Sequence, residues 1–330
     1  MTRVAINGFG RIGRTVLKKL LLNKNLIVVG INDLTDPKTL AHLFKYDSIH
    51  GKFDGTVSSA EKAIIINNQT IPVYAEKDPA MLPWKELQVD VVIESTGRFT
   101  KAELAEAHIK AGARKVIISA PGSGNLKSVV LGVNENILDG NEKIISNASC
   151  TTNNAAPMIK ILQDNWGVES AYITTVHAYT GDQNIHDAPH KDLRWARAAA
   201  QSIIPTTTGA AKAVTEIFPD LKGMIGGAGI RVPVIDGSIT DITCILKKDA
   251  TVEAINQKFL EASQGSMKGI IEYTTDPIVS VDIIGNTHSC IFDSMLTSVL
   301  GKMVKVVGWY DNEMGYSTRL AELTALVGKK

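Results

Sequence analysis

Near the start of the chain, Gly8-Phe9-Gly10-Arg11-Ile12-Gly13 lies between a short apolar run, Arg3-Val4-Ala5-Ile6, and a segment from Arg11 to Leu22. In that segment Ile12, Val16, Leu17, Leu20 and Leu21 recur at helical spacing. Few folds accept three glycines at such a junction. A strand that passes at once into a helix needs Gly8 for the tight turn, Gly10 where the backbone approaches a ligand, and Gly13 where helix packs on strand. A second apolar run, Leu26 to Ile31, completes a strand–helix–strand unit, which favours neighbouring parallel strands. Asp33 follows, twenty residues beyond Gly13.

This arrangement predicts a dinucleotide site. Unpaired N–H groups at the helix start suit a pyrophosphate, and the Asp33 carboxylate can accept hydrogen bonds from a ribose 2′-hydroxyl while repelling a 2′-phosphate. The expected cofactor is therefore NAD rather than NADP.

Alternation continues through the first half. Ala63–Ile66 and Thr70–Tyr74 flank Asn67-Asn68-Gln69 as a hairpin, Val89–Ile93 reads as a buried strand, Lys101–Ala111 as a helix and Lys115–Ser119 as a strand. The second half differs. Strand-like runs at Ala171–Val176, Ile230–Val234, Ser238–Lys247, Ile278–Ile284 and Val304–Trp309 follow one another with a helix at Val252–Ser263, an irregular segment near Tyr179–Gln201 and a final amphipathic helix to Val327. Consecutive strands favour an antiparallel or mixed sheet. The expected fold is an α/β Rossmann-type dinucleotide-binding domain plus an α+β catalytic domain with a mixed, largely antiparallel sheet.

Cys150 stands in Ser149-Cys150-Thr151-Thr152-Asn153, where the strand Lys143-Ile144-Ile145 gives way to a helix. A helix N-terminus favours thiolate over thiol. Pro157 falls inside that helix and should bend or shorten it. A cysteine nucleophile beside a nicotinamide site points to aldehyde oxidation. Hydride loss from a bare aldehyde would leave an acylium ion, whereas a hemithioacetal carbon carries an oxygen that releases a proton as hydride leaves, giving a thioester. His177, at the end of the strand Ala171–Val176, suits the base by its pKa. Hydroxyls at Ser149, Thr151 and Thr206-Thr207-Thr208-Gly209, together with Arg231 after Gly226-Gly227-Ala228-Gly229, could hold two anions, one on the substrate and one attacking the thioester; helix capping and a solvated arginine are the simpler readings of the same residues.

Bulk properties exclude several other classes. A chain of 330 residues has room for two domains. Its net charge of +1 gives no steering toward nucleic acid or an anionic membrane. Three cysteines in no metal-ligand spacing argue against a disulfide framework or a metal site and for a reducing, cytoplasmic setting. No signal peptide or membrane-spanning run is expected.

The chain resembles the phosphorylating glyceraldehyde-3-phosphate dehydrogenases over essentially its whole length. The matching motifs include Asn7-Gly8-Phe9-Gly10-Arg11-Ile12-Gly13-Arg14, Ile31-Asn32-Asp33, Ser95-Thr96-Gly97, Ala148-Ser149-Cys150-Thr151-Thr152-Asn153, Thr208-Gly209-Ala210-Ala211-Lys212, Arg231-Val232-Pro233 and Tyr310-Asp311-Asn312-Glu313. The resemblance implies a homotetramer, an NAD-binding domain over 1–149 rejoined by the C-terminal helix 314–330, and a catalytic domain over 150–313. It implies Cys150 as nucleophile and His177 as base. Arg11, Ile12, Asp33, Lys77, Ser119 and Asn312 match cofactor positions. Thr180, Asp182 and Arg231 match the substrate-phosphate site, and Ser149, Thr151, Thr208 and Gly209 the inorganic phosphate site. Lys77 stands where many members have arginine, Asn154 replaces a second cysteine, and Trp195 occupies a position that is arginine in some bacterial members. A relative that releases its thioester to water, oxidising erythrose 4-phosphate, is the alternative; the Thr207-Thr208-Gly209 run favours phosphate as acceptor.

Overall fold

A computed structural model describes residues 1–329. It comprises two compact units: the first holds Met1–Val129, Asn136–Ala148 and the stretch from Ser317 onward, the second Val130–Glu135 and Ser149–Tyr316. Among the described residues, no helix is long and apolar enough to cross a membrane.

The first unit is built on one sheet. Its strands are Thr2–Asn7 (β1), Leu26–Asn32 (β2), Val57–Ala60 (β3), Ala63–Ile66 (β4), Gln69–Tyr74 (β5), Val91–Glu94 (β6), Lys115–Ile118 (β7), Lys127–Ser128 (β8) and Ile144–Ser146 (β9). They lie in the order β8-β9-β7-β6-β1-β2-β5-β4-β3, with β1 parallel to both β2 and β6. The central strands are apolar on both faces: Val4, Ala5, Ile6, Val91, Val92, Ile93, Val116 and Ile117 are buried completely, as expected where helices cover a parallel sheet. Helices Arg11–Leu20 (α1), Pro37–Lys45 (α2) and Ala102–Lys110 (α3) connect them. The chain runs outward from β1 to β2 and later returns to lay β6 on β1's other side. That reversal creates a crevice at the carboxyl ends of the two strands. The hairpin β4–β5 turns through Asn67 and Asn68 at φ 48 and 67, the left-handed pair that a two-residue turn requires.

In the second unit, helix Cys150–Trp166 (α4) leads into Val168–Ala178 (β10), Ile204–Thr206 (β11), helix Ala210–Ile217 (α5), Ile225–Val232 (β12), Ser238–Leu246 (β13), helix Val252–Gln264 (α6), Ile271–Thr274 (β14), Cys290–Asp293 (β15), Ser298–Leu300 (β16) and Met303–Tyr310 (β17). The sheet order is β11-β12-β10-β13-β17-β15-β14, with β16 on β17. Most pairs are antiparallel, but β10–β12 and β14–β15 are parallel. Helix Met314–Val327 (α7) closes the chain, and Thr2 Oγ1 donates to Gly328 O at 3.2 Å, tying its end to the start of β1.

Four expectations are corrected. Residues Ile278–Ile284 are not a strand: Ser280–Ile283 is a 3₁₀ turn, and the strands on either side of it are β14 and β15, each only four residues long. Strand β10 runs two residues past Val176, so His177 lies within it. The glycine run Gly226–Gly229 is itself strand, in β12. There a Cβ on Gly227 would stand 3.0 Å from both Ala211 Cβ and Ile173 O, so glycine lets α5 and β10 approach. Finally, Pro157 does not shorten α4, which continues through it to Trp166; most of the helix is buried, and that burial outweighs one lost backbone hydrogen bond.

The glycines of α1's entry separate by role. A Cβ on Gly13 would overlap the carbonyl oxygen of Gly8, whereas one on Gly10 would meet nothing within 4 Å. Gly13→Ala is therefore expected to lower the unfolding free energy by about 1–3 kcal/mol, and Gly10→Ala to change it by less than about 0.5 kcal/mol. Urea denaturation checks the pair, and equal losses would contradict this packing.

Candidate active site

The first unit has a cavity of about 490 Å³ at the carboxyl ends of β1, β2, β5 and β6, walled by Gly8, Gly10, Asp33, Lys77, Ser95 and Thr96 among others. Helix α1 begins there with Gly10 as its N-cap, without a capping side chain and without an acidic residue in its first turn. Its N–H groups are thus suited to an anion. Asp33 is held at the wall by accepting N–H bonds from Phe9 at 2.8 Å and Thr35 at 2.9 Å. An uncapped helix start beside a fixed carboxylate fits a dinucleotide's pyrophosphate and ribose. Arg11, Ile12 and Ser119 are not part of the cavity wall. The Arg11 guanidinium is turned to Asp47 at 2.9 Å, with Lys18 on the same carboxylate at 3.0 Å, and Ser119 N–H donates to Glu94 O at 2.9 Å just beyond β7.

In the second unit Cys150 is the first residue of α4 and Ser149 its N-cap. Cys150 Sγ lies 3.4 Å from His177 Nε2. The other face of the imidazole meets Arg231: Nη1 is 2.5 Å from His177 Nδ1 and donates to Ala178 O at 3.0 Å. His177 Nδ1 is also 2.7 Å from Ala178 O. The register makes this meeting inevitable, since His177 and Arg231 are direct partners in the β10–β12 pair. Asp182 contributes a negative charge near His177, and Thr180 donates a hydrogen bond to its carboxylate.

Burial, followed by the Arg231 cation, holds the His177 imidazolium down to about 3. Burial also pushes the Cys150 thiol up, against the opposing pull of Arg231 and the N–H groups at the start of α4. The expectation that the helix end by itself favours the thiolate is therefore not met: desolvation of sulfur is the larger effect.

The hydroxyls are engaged. Ser149 Oγ accepts from Thr152 N–H at 3.0 Å, as a helix cap. Thr208 Oγ1 accepts from Ala210 N–H at 3.2 Å, beside the Gly209 N-cap of α5. Thr151 shares a hydrogen bond of 2.9 Å with the Tyr310 hydroxyl. Asn312 Oδ1 accepts from Ser238 Oγ at 2.7 Å, and Ser238 Oγ accepts from Ala178 N–H at 3.1 Å.

Three residues were not singled out as site residues in the sequence. Tyr310 bridges Thr151 and, at 2.8 Å, Thr175, and its ring meets His177 edge-on with centroids 5.9 Å apart. Ser238 positions the backbone after His177. Trp195 faces Arg231, its ring centroid 5.7 Å from the guanidinium carbon. The available signal was weak: Thr175 and His177 sit two apart on one face of β10, so that face carries polar groups in need of partners.

Two family models match the chain: "Glyceraldehyde 3-phosphate dehydrogenase, NAD binding domain" over residues 2–102 and "Glyceraldehyde 3-phosphate dehydrogenase, C-terminal domain" over residues 149–312. Similar proteins named glyceraldehyde-3-phosphate dehydrogenase include one from Thermotoga maritima, 56% identical over 332 residues and covering all of both chains. Another, from Clostridium pasteurianum, is 53% identical across 97% of this chain and 96% of its own. A third, from Mycobacterium avium, is 54% identical across 99% of this chain and 98% of its own.

The depressed His177 pKa couples to stability with a defined sign. The unfolded chain binds this proton near 6.5 and the folded chain only near 3, so stability is complete above about 6.5 and is lost as pH falls toward 3, with a slope of up to about 1.4 kcal/mol per pH unit. Replacing the group by His177→Gln should flatten this contribution. Denaturation at pH 4.5 and 7.5 checks it: the wild-type loss should exceed the variant's, and identical losses would show that the imidazole ionises freely in the fold.

Proposed function

This chain belongs to the glyceraldehyde 3-phosphate dehydrogenase family, and from that membership we propose that it oxidises glyceraldehyde 3-phosphate to 1,3-bisphosphoglycerate in glycolysis, with NAD and inorganic phosphate. Residues 1–149 with 314–330 carry the nucleotide and 150–313 the chemistry. The observation that carries the reading is the Cys150–His177–Arg231 line: a thiol, an imidazole 3.4 Å from it and a guanidinium behind.

Gly8, Gly10 and the N–H groups of Arg11 and Ile12 hold the pyrophosphate, Asp33 the ribose, and Lys77, Ser119 and Asn312 the rest of the cofactor. NAD when bound supplies the hydride acceptor. Cys150 adds its sulfur to the aldehyde carbon, and its proton passes to His177. The imidazolium then donates that proton to the new oxyanion, and the Cys150 N–H is a second donor there. As the carbon is oxidised, His177 Nε2 takes the proton back from the hydroxyl. The acyl group remains on Cys150 as a thioester. Thr180, Asp182 and Arg231 orient the substrate phosphate, and Ser149, Thr151, Thr208 and Gly209 the attacking phosphate, the last two at the start of α5, where backbone N–H groups favour an anion. The retained Thr207-Thr208-Gly209 run supports phosphate rather than water as acceptor, against an erythrose-4-phosphate dehydrogenase. The family relationship supports a homotetramer, and the three free cysteines support a reducing, cytoplasmic setting.

NAD reduction with glyceraldehyde 3-phosphate should require orthophosphate for sustained turnover and vanish in Cys150→Ala, while NAD binding persists. Turnover retained by Cys150→Ala, or indifference to phosphate, would remove this mechanism. Asp33→Ala should narrow the preference for NAD over NADP by about tenfold or more, the worth of one charge-assisted hydrogen bond; steady-state kcat/KM for both cofactors checks it.

A further inference from the structure

Arg231 meets more than His177. Its Nη1 donates to Ala178 O at 3.0 Å, and its guanidinium carbon lies over the Trp195 ring, 5.7 Å from the centroid. At that distance a cation is attracted by the negative face of an indole. The attraction uses none of the N–H donors, and those on Nε and Nη2 have no partner among the described residues. Trp195 is itself fixed. Its Nε1–H donates to Thr206 Oγ1 at 3.0 Å, and its ring stacks on His190 with centroids 5.8 Å apart and planes at 18°. Thr206 belongs to β11 and pairs with Gly229 of β12, two residues before Arg231. Partners across an antiparallel pair share a face, as do residues two apart in one strand, so Thr206 and Arg231 project to the same side of the sheet. The indole spans the two.

We propose that Trp195 is a positioning residue that holds the Arg231 guanidinium ready for the substrate phosphate, and so sets the affinity of this chain for phosphorylated aldehydes. The inference rests on the proposed substrate-phosphate role of Arg231. An indole has one N–H and no acceptor, and Thr206 takes that N–H. Trp195 therefore acts on an anion only through Arg231. Arginine is long and rotamer-rich, and ordering it when a ligand arrives costs affinity. A guanidinium already seated over a ring, with one edge on Ala178 O, has little of that freedom left to lose. Its remaining donors keep the planar fork that matches two phosphate oxygens.

Residue identity at this position matters for the same reason. An arginine there, as in some bacterial members, brings a second cation. The neutral ring adds no charge of its own, so phosphate affinity turns on how well Arg231 is placed. The opposite role, a ring that shields the cation and weakens binding, predicts the opposite sign on its removal.

The test is calorimetric titration of the full-length protein with glycerol 3-phosphate, which carries the phosphate ester and no aldehyde. Trp195→Leu keeps apolar bulk without an aromatic face, and Trp195→Phe keeps the face without the N–H. The Leu variant should bind about three- to tenfold more weakly than wild type, and the Phe variant within about twofold of it. Steady-state kinetics give a second readout. Trp195→Leu should raise KM for glyceraldehyde 3-phosphate by a similar factor with kcat changed less than about twofold, and leave both kcat/KM for unphosphorylated glyceraldehyde and KM for orthophosphate where they were. Unchanged or tighter binding in Trp195→Leu overturns the inference. So do equal weakening in Trp195→Phe, which would assign the effect to the N–H, and equal losses with both aldehydes or with orthophosphate, which would mark a general disturbance of the segment. Wild type that fails to bind glycerol 3-phosphate, or binding that Arg231→Gln leaves intact, overturns the substrate-phosphate reading and this inference with it; binding by wild type that only Arg231→Gln weakens overturns the inference alone.

Discussion

The parallel pairing of β10 with β12 is the constraint on which the catalytic unit depends. Partner residues in neighbouring strands project to one face of the sheet, so this register alone brings His177 against Arg231. On the other side of β10 the antiparallel pairing with β13 brings Ser238 to the N–H of Ala178, and β17 beyond it delivers Tyr310, the register partner of Ser238. Four adjacent strands thus supply four polar side chains, and the N-terminus of α4 adds the sulfur. The glycines of β12 belong to the same constraint. A Cβ on Gly227 would stand 3.0 Å from both Ala211 and the Ile173 carbonyl, so glycine there leaves β10 and α5 room to pack closely.

A buried polar network performs the corresponding task at the nucleotide cavity. The Glu94 carboxylate at the end of β6 accepts from Asn7 Nδ2 at 2.5 Å and from Thr96 N–H at 2.8 Å, and meets His108 Nε2 at 3.0 Å. Trp84 Nε1–H donates to His108 Nδ1 at 3.0 Å, so the imidazole's own proton lies on Nε2, pointed at the carboxylate. Asn7 in turn accepts from Asn32 at 2.7 Å. The carboxyl ends of β1, β2 and β6 are therefore tied by side chains where their ladders stop. A carboxylate this deeply buried is tolerable only with all its partners present, and that requirement keeps the crevice in one shape.

The two sites use burial differently. At Glu94 the buried carboxylate is surrounded by donors. At His177 one nitrogen has two competing partners, a guanidinium donor and a carbonyl acceptor, both within hydrogen-bonding distance.

Much of this was legible in the residues themselves. The glycines at 8, 10 and 13, the periodic segment after them and Asp33 determine a strand–helix–strand nucleotide unit, because turn geometry and hydrophobic spacing are local properties. The setting of Cys150 at a helix start was equally legible, for the same reason. Short strands such as β14 and β15 were not, since four residues carry too little periodicity, and the glycine run before Ile230 carries no strand signal because its strand character comes from neighbours that need the space. Pro157 by local backbone preference allows either a bent or a shortened α4, and burial decides against the shortened one. What only the tertiary structure decided is who meets whom. That Arg231 faces His177, that Tyr310 bridges Thr151 and Thr175, and that burial outweighs the helix end at Cys150 all follow from strand register and packing, which join residues 27 to 159 positions apart and leave no mark in the local sequence.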